Sequence, residues 1–162
     1  LRAIGLTVGS DVPFCVSGGT SLAEGRGERL TDLPPLPVCQ IVLCKPDFGI
    51  STPELFVLAD GAVLSKRPDI AGLTAALQGG ELTGVTDRLC NVFEEFLPER
   101  YREVFRIKEI LLAHGALNAA MSGSGPTVYG IFESAAEAQR AAEVLKKSYQ
   151  QTYVAKPVKK LV

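Results

Sequence analysis

The sequence has few of the residues from which metal sites are usually built. It contains one histidine, no tryptophan and four cysteines, and no two cysteines form a Cys-x-x-Cys pair. A zinc site needs a set of closely spaced Cys and His ligands, so we expect no metal site made by this chain alone. The cysteines lie among apolar neighbours, and we therefore expect reduced, buried thiols of the kind found in cytoplasmic proteins.

An excess of one charge and long hydrophobic runs are also lacking. The 162 residues include 17 basic and 18 acidic side chains, which gives a net charge of -1. A nucleic-acid-binding surface requires a basic face, and a membrane span requires roughly 20 consecutive apolar residues. No secretory signal is visible in the first residues. We therefore expect a cytoplasmic protein that binds no nucleic acid and enters no membrane.

No glycine is followed by lysine, which excludes a P-loop. What is present instead is Ser122-Gly123-Ser124-Gly125-Pro126, called the Ser–Gly loop below, between two apolar runs of strand length. Glycine allows backbone amides to turn to one side and to approach a ligand closely, so the loop could hold a phosphate. A hairpin turn explains the same residues, and the sequence leaves both interpretations open.

The order of predicted elements indicates an α+β fold of two parts. A proline-rich connector at residues 34–37 separates residues 1–37 from a second domain at residues 38–162. The second domain follows the order of a ferredoxin-like split βαβ unit, with extra helices inserted after its first strand. We predict strands at 20–24, 28–33, 38–44 and 152–158, two more strands flanking the Ser–Gly loop, and helices starting at 52 and spanning 69–77, 91–97, 101–114 and 134–149. The strand at 38–44 is apolar enough to be buried on both faces.

Two positions have both a structural and a functional interpretation. Asp11 precedes Val12-Pro13 at a predicted helix start, where it could cap the helix or act as a base toward a substrate hydroxyl. Phe56 could be a core residue or a stacking platform for a flat ligand such as a base.

Other polar residues have simple structural interpretations. His114 is expected to contact the carbonyls at the end of its helix. Glu94 and Glu95 are adjacent in a predicted helix and are expected to form a solvated face.

Several short motifs, in the same order along nearly the whole chain, resemble those of the GHMP kinase superfamily. They are Gly9-Ser10-Asp11-Val12-Pro13-Phe14, Gly18-Gly19-Thr20, Glu24-Gly25, Gly27-Glu28, Lys45-Pro46, Ser51-Thr52-Pro53, Asn91 and the Ser–Gly loop with its neighbours Met121 and Thr127. The resemblance implies the ferredoxin-like C-terminal domain of these kinases at residues 38–162. It also implies that residues 1–37 are the end of a ribosomal S5-like N-terminal kinase domain.

The resemblance implies an activity as well. It is the ATP-dependent phosphorylation of the 2-hydroxyl of a cytidine-diphosphate-linked methylerythritol, a step of isoprenoid precursor biosynthesis. Asp11 matches the catalytic carboxylate of the family, and Thr52, Pro53 and Phe56 match its substrate-binding region. The phosphate-region loop is matched by Ser122, Gly123, Ser124 and Gly125.

The ATP-binding glycine-rich motif and the catalytic lysine of the family have no counterpart in this sequence, which starts at Leu1. The resemblance therefore implies a C-terminal portion that is inactive alone, with ATP and Mg²⁺ bound mainly by the N-terminal half. Two alternatives remain open. One is a non-catalytic ferredoxin-like ligand-binding or regulatory module, and the other is a GHMP kinase acting on homoserine or mevalonate.

Overall fold

The structure, a computed structural model, describes residues 2–61, 63–65 and 67–158, so residues 159–162 of the predicted second domain lie outside the described part. In chain order the elements are α1 (Arg2–Val8), α2 (Val12–Ser17), β1 (Thr20–Glu24), β2 (Arg29–Leu33), β3 (Gln40–Lys45), α3 (Thr52–Asp60), α4 (Ile70–Gly79), α5 (Leu82–Thr86), the 3₁₀ turns Val92–Phe96 and Glu99–Tyr101, α6 (Glu103–Ala113), β4 (Asn118–Met121), β5 (Val128–Phe132), α7 (Ala135–Lys146) and β6 (Gln151–Ala155).

The described strands form two antiparallel sheets. Strands β1 and β2 pair as a hairpin, and the other four strands form a sheet in the order β4-β5-β3-β6. This is the strand order of a ferredoxin-like fold, in which α6 takes the place of the first helix and α3, α4 and α5 are inserted before it. The predicted α+β class and the split βαβ order are confirmed.

The main core lies between this sheet and helices α6 and α7. Ser134 is the N-cap residue of α7, and its side chain accepts a hydrogen bond from Glu137 N. Its small residues allow close packing on the sheet. The buried cluster includes Val42, Cys44, Val128 and Phe132 from the sheet, Val104, Ile107 and Leu111 from α6, and Ala138, Ala141, Ala142 and Leu145 from α7.

The prediction that the first strand of the second domain is buried on both faces is wrong. In β3, Val42 and Cys44 are fully buried, whereas Ile41 and Leu43 are only partly buried. Helix α7 packs against β3, and α6 packs against β4 and β5. Because these helices cover one face of the sheet, the alternate residues on the other face keep access to solvent.

The helical segments after α4 differ from the prediction. The predicted helix at 91–97 is instead the 3₁₀ turn Val92–Phe96, and α6 begins at Glu103, two residues later than predicted. Helix α5 was not predicted, because Thr83 and Gly84 are poor helix formers. Tertiary packing compensates, since Val85 of α5 forms a small buried cluster with Ala76 and Leu77 of α4.

The cysteines follow the prediction only in part. Cys39 and Cys44 are buried, and burial raises the pKa of both thiols. Cys15 and Cys90 are exposed, so the expectation of buried thiols is wrong for these two. Cys15 lies on the short helix α2 and Cys90 lies in the irregular segment before the first 3₁₀ turn, where packing does not enclose a side chain.

Gly130 of β5 offers a test of the packing between the sheet and α6. A Cβ atom at Gly130 would lie 3.2 Å from Leu111 Cβ, and Leu111 is fully buried. Gly130→Ala should therefore lower the free energy of unfolding by about 1–3 kcal/mol through overpacking. The measurement is chemical denaturation. Gly49→Ala is the control, because no atom lies within 4 Å of the Cβ it would add. Equal stability of both variants would contradict this packing.

Tyr149 links the end of α7 to α6 and provides a test at alkaline pH. Its hydroxyl donates to Glu103 Oε2, and burial together with the Glu103 carboxylate raises the pKa of Tyr149 from 10.0 to about 12. The neutral phenol is favoured in the folded state, so its stabilisation is complete below pH 10 and is lost as the pH rises towards 12.

We therefore expect the free energy of unfolding to fall between pH 10 and about 12, and Tyr149→Phe to reduce this fall. Denaturation measured across that pH range tests the prediction. Tyr153→Phe, at an exposed position, is the control and should retain the wild-type dependence. A Tyr149→Phe curve parallel to that of the wild type would rule the effect out.

Candidate functional site

The Ser–Gly loop connects the antiparallel strands β4 and β5. Met121 pairs with Val128 at the end of the ladder, and Ser122 N donates to Thr127 O at 2.8 Å. Gly125 N donates back to Ser122 O at 2.8 Å. The hairpin-turn interpretation is therefore confirmed. The amides of Gly123 and Ser124 take no part in these two hydrogen bonds.

The two loop glycines occupy positions that other residues rarely adopt. Gly123 has φ of +55° and Gly125 has φ of +78°. A Cβ atom on Gly125 would lie 2.3 Å from Met121 Sδ, whereas no atom lies within 4 Å of the corresponding position on Gly123. The loop thus packs tightly against the protein at Gly125 and is open at Gly123, where a ligand could approach the backbone.

The side chain of Asn91 forms hydrogen bonds with the main chain of the Ser–Gly loop and of Met121. Its Nδ2 donates to Met121 O and to Gly123 O, both at 2.8 Å. Its Oδ1 accepts from Phe93 N at 3.0 Å and so caps the 3₁₀ turn Val92–Phe96. One side chain therefore fixes the turn and the first half of the loop relative to each other.

Glu94 provides a second connection, and the expectation of a solvated face is wrong for it. Glu94 Oε1 accepts from Met121 N at 2.6 Å, and Oε2 forms an ion pair with Lys108 of α6. The side chains of Glu94 and Lys108 are only 14% and 21% exposed. Glu95 Oε2 instead accepts from Ser65 N at 2.7 Å, so it is not simply solvated either.

The start of α3 meets the loop directly. Ser51 caps this helix by accepting from Glu54 N at 3.5 Å, and Pro53 follows in the first turn. Thr52 Oγ1 and Ser124 Oγ are hydrogen-bonded at 2.7 Å. The structure therefore brings the predicted substrate-binding helix into contact with the predicted phosphate loop, although the two residues are 72 positions apart.

Phe56 lies on α3 one turn after Thr52 and is 55% exposed, so the core interpretation is wrong. Its ring contacts Phe93 edge to face, with a distance of 5.4 Å between centroids, and Phe93 contacts Phe96 in the same manner at 5.9 Å. Edge contacts of this kind fix ring orientation. The ring of Phe56 is thus oriented by Phe93 and remains partly exposed to solvent, close to the 3₁₀ turn that contacts the loop.

A cavity of about 370 Å³ opens between the 3₁₀ turn and the loop, lined in part by Asn91, Phe93, Ser122 and Gly123. A larger cavity of about 630 Å³ lies elsewhere, between the connector at residues 34–39, the end of α4 and residues 156–158. The larger cavity contains none of the predicted site residues, so volume alone does not locate the site.

Asp11 lies outside this hydrogen-bonded network. It is exposed at the start of α2, and its side chain makes no capping hydrogen bond, so the capping interpretation is wrong. A Cβ atom on Gly27 would lie 2.4 Å from Ser10 O, which shows that the β1–β2 turn packs against the backbone just before Asp11. The main chain just before Asp11 is therefore packed against this turn, and the exposed carboxylate makes no capping hydrogen bond to its own helix.

The remaining expectations concern residues away from the loop. His114 Nδ1 contacts Ile110 O at 2.7 Å, which confirms its predicted interaction at the helix end. Within the described residues, no group of three or more His, Cys, Asp or Glu side chains could hold a metal ion. None of the described helices is long and apolar enough to span a membrane.

Comparisons with known proteins match the sequence and the fold of this chain to kinases. Residues 73–151 match the family model of the GHMP kinases C terminal. The chain is 39% identical over 155 residues to 4-diphosphocytidyl-2-C-methyl-D-erythritol kinase of Clostridioides difficile (strain 630), which is 95% of this chain and 52% of that protein. It is 43% identical over 160 residues to the kinase of the same name from Enterococcus faecalis (strain ATCC 700802 / V583), covering 98% of this chain and 56% of that protein.

Solved structures agree with the sequence comparison. A crystal structure of 4-(cytidine 5'-diphospho)-2C-methyl-D-erythritol kinase is similar with a TM-score of 0.78 and 27% identity, over 96% of this chain and 56% of that one. Homoserine kinase from Cytophaga hutchinsonii has a TM-score of 0.65 at 20% identity, over 92% of this chain and 51% of that one, and shares the fold alone. The resemblance found in the motifs is confirmed. The chain spans about half the length of the curated relatives it matches.

Proposed function

We propose that this chain is the C-terminal part of a kinase that phosphorylates the 2-hydroxyl of 4-diphosphocytidyl-2-C-methyl-D-erythritol with ATP; the match of residues 73–151 to the GHMP kinases C terminal model and the similarity to kinases of that name support this. The observation that supports this most strongly is the 2.7 Å contact between Thr52 Oγ1 and Ser124 Oγ. This contact places α3, the proposed substrate-binding helix, and the Ser–Gly loop, the proposed phosphate-binding loop, on one surface.

The phosphate end of this surface is the Ser–Gly loop. Free space at Gly123 allows a phosphate to approach the main chain, and the amides of Gly123 and Ser124 are not used by the hydrogen bonds of the turn. The hydroxyl of Ser122 supplies a further donor, and that of Ser124 supplies another when Thr52 Oγ1 is the donor in their mutual hydrogen bond. Backbone amides in such a loop form a concavity suited to an anion, so the residues present fit one end of the ATP phosphates.

The nucleoside end of the surface is the exposed ring of Phe56. Stacking on an aromatic ring suits a flat base, and the edge contact with Phe93 keeps the ring in place. Thr52 and Pro53 lie between this ring and the loop along α3. The cytosine would stack on Phe56, and the remainder of the substrate would extend towards the Ser–Gly loop.

Asp11 would accept the proton of the 2-hydroxyl as its oxygen bonds to the γ-phosphorus and the bond to ADP breaks. A carboxylate is a weak base for an alcohol, but it suffices where the transition state is loose and positioning contributes most of the rate. The exposed carboxylate makes no capping hydrogen bond to its helix, which supports this role. The reaction therefore requires Asp11 and the loop to face one cleft.

ATP would supply the transferred phosphoryl group, and its Mg²⁺ would be bound by the phosphates and by the N-terminal half of the kinase. Mg²⁺ commonly takes only one or two protein carboxylates together with phosphates, so the N-terminal half and the nucleotide phosphates would be sufficient to hold it. Since the ATP-binding motif has no counterpart in this sequence, we propose that this chain alone transfers no phosphate. A cytoplasmic location is proposed with this function.

The alternatives make different demands on the same residues. A regulatory ferredoxin-like module needs neither Asp11 nor a base-stacking ring. A kinase acting on homoserine or mevalonate needs the carboxylate but has no base to stack, because neither substrate contains one. Separate tests of Asp11 and Phe56 therefore distinguish the three functions.

Asp11→Asn tests the catalytic role. In a chain extended at its N-terminus to the length of the curated relatives, we expect kcat to fall by about 10²–10⁴-fold, because the general base is lost. The measurement is transfer of labelled phosphate from ATP to the cytidyl substrate. Asp60→Asn, at an exposed position on the end of α3, is the control. Wild-type turnover by Asp11→Asn would remove the base from the mechanism.

Phe56→Ala tests the identity of the substrate. We expect the Kd of cytidine diphosphate for the extended chain to rise by about 5- to 100-fold, in keeping with about 1–3 kcal/mol for a stacked base. Val57→Ala is the control, because Val57 is the next residue on α3 and is 73% exposed. Titration calorimetry measures both. Affinity that does not change in Phe56→Ala, or no binding of cytidine diphosphate by the extended wild-type chain, would favour the alternatives.

A further inference from the structure

We propose that Asn91 and Glu94 are positioning residues, which set the direction in which the Ser–Gly loop presents its free amide groups. The inference rests on the proposed function for the identity of the ligand, a phosphate group, and on the hydrogen bonds of the loop for everything else. Asn91 bonds to the main chain of the loop and of Met121, the residue before it, and Glu94 bonds to the main chain of Met121.

The planarity of the peptide bond converts these contacts into a constraint on the amides. Gly123 O and Ser124 N–H belong to one planar trans peptide unit and point in opposite directions. Asn91 Nδ2 holds Gly123 O at 2.8 Å, so the Ser124 amide must point away from Asn91. The second bond, from Nδ2 to Met121 O, fixes the preceding Ser122 amide in the same way, and that amide donates to Thr127 O.

Glycine makes this external constraint necessary. Gly123 has positive φ and open space around it, so its own conformational freedom does not select one peptide orientation. The turn fixes the amides of Ser122 and Gly125 through its own hydrogen bonds. Asn91 therefore controls the part of the loop that the turn leaves free.

Glu94 makes the support rigid. Its carboxylate accepts from Met121 N at 2.6 Å, and hydrogen bonds to a charged acceptor are stronger than neutral ones. The second oxygen pairs with Lys108, which lies on α6 next to the fully buried Ile107. The ion pair between Glu94 and Lys108 thus connects the strand residue before the loop to α6, the helix that packs against the sheet.

Asn91→Asp separates positioning from overall folding. The variant has almost the same shape and keeps an acceptor for Phe93 N, but it replaces both donations to Met121 O and Gly123 O with a carboxylate oxygen that repels them. In the extended chain we expect kcat to fall by about 10²-fold, the effect of a misplacement near 1 Å. The Kd of cytidine diphosphate should change less than about twofold, since the Phe56 surface remains.

Glu94 is tested by a conservative pair of variants. Glu94→Gln keeps an acceptor for Met121 N and should retain most of kcat, whereas Glu94→Ala removes the acceptor and should behave like Asn91→Asp. Glu95→Gln is the matched control, because Glu95 lies on the same 3₁₀ turn but bonds to Ser65 N. It should have wild-type kcat. A loss of kcat as large in Glu95→Gln as in Glu94→Ala would overturn the proposal.

A second readout does not depend on catalysis. In the 162-residue chain, the Ser124 amide resonance should shift in Asn91→Asp, and the Met121 amide should exchange with solvent about tenfold faster in Glu94→Ala. If the extended wild-type chain transfers no phosphate, the proposed function fails, and these two NMR measurements still test the positioning. Unchanged Ser124 shifts and Met121 exchange in the variants would overturn it.

Discussion

The candidate site depends on how a loop of very small residues satisfies its backbone. Glycine and serine have no bulk with which to pack, so the position of the Ser–Gly loop is set by hydrogen bonds to its main chain. Met121 N, Met121 O and Gly123 O all bond to side chains of the segment that begins at Asn91, about 30 positions earlier in the chain. Unsatisfied main-chain groups at the end of a buried strand would be costly, which makes these contacts a requirement of the fold as well as of the site.

The ferredoxin-like layers provide the rigid part of this arrangement. The loop joins β4 to β5 at one end of a sheet, and one face of this sheet packs on α6 and α7. The helices inserted after β3 then supply the side chains around the loop: Thr52 and Phe56 from α3, and Asn91, Phe93 and Glu94 from the 3₁₀ turn and the residue before it. The inserted segments therefore supply most of the side chains of the candidate site.

The sequence predicted the local elements better than the contacts between them. The helix that starts near residue 134 and the order of the strands follow from residue patterns, and the structure confirms both. The sequence predicts a solvated Glu94, since adjacent charges in a helical pattern usually face solvent; its actual partners are 14 and 27 positions away, and no local pattern indicates them. Helix α5 was not predicted because its residues depend on packing against α4. The motifs identified Thr52 and Ser124 separately, but only the folded chain shows that they touch.

The central claim is that Asp11 and the Ser–Gly loop face one cleft in which phosphate passes to a cytidine-linked alcohol. A crystal structure of the chain extended to the length of its curated relatives, with the cytidyl substrate and a non-hydrolysable ATP analogue bound, tests it most directly. The account predicts cytosine on Phe56, the terminal phosphate near the amides of Gly123 and Ser124, and the reacting hydroxyl within about 3.5 Å of both that phosphate and the Asp11 carboxylate. Ligands bound elsewhere, or Asp11 on a surface remote from the phosphate, would contradict it.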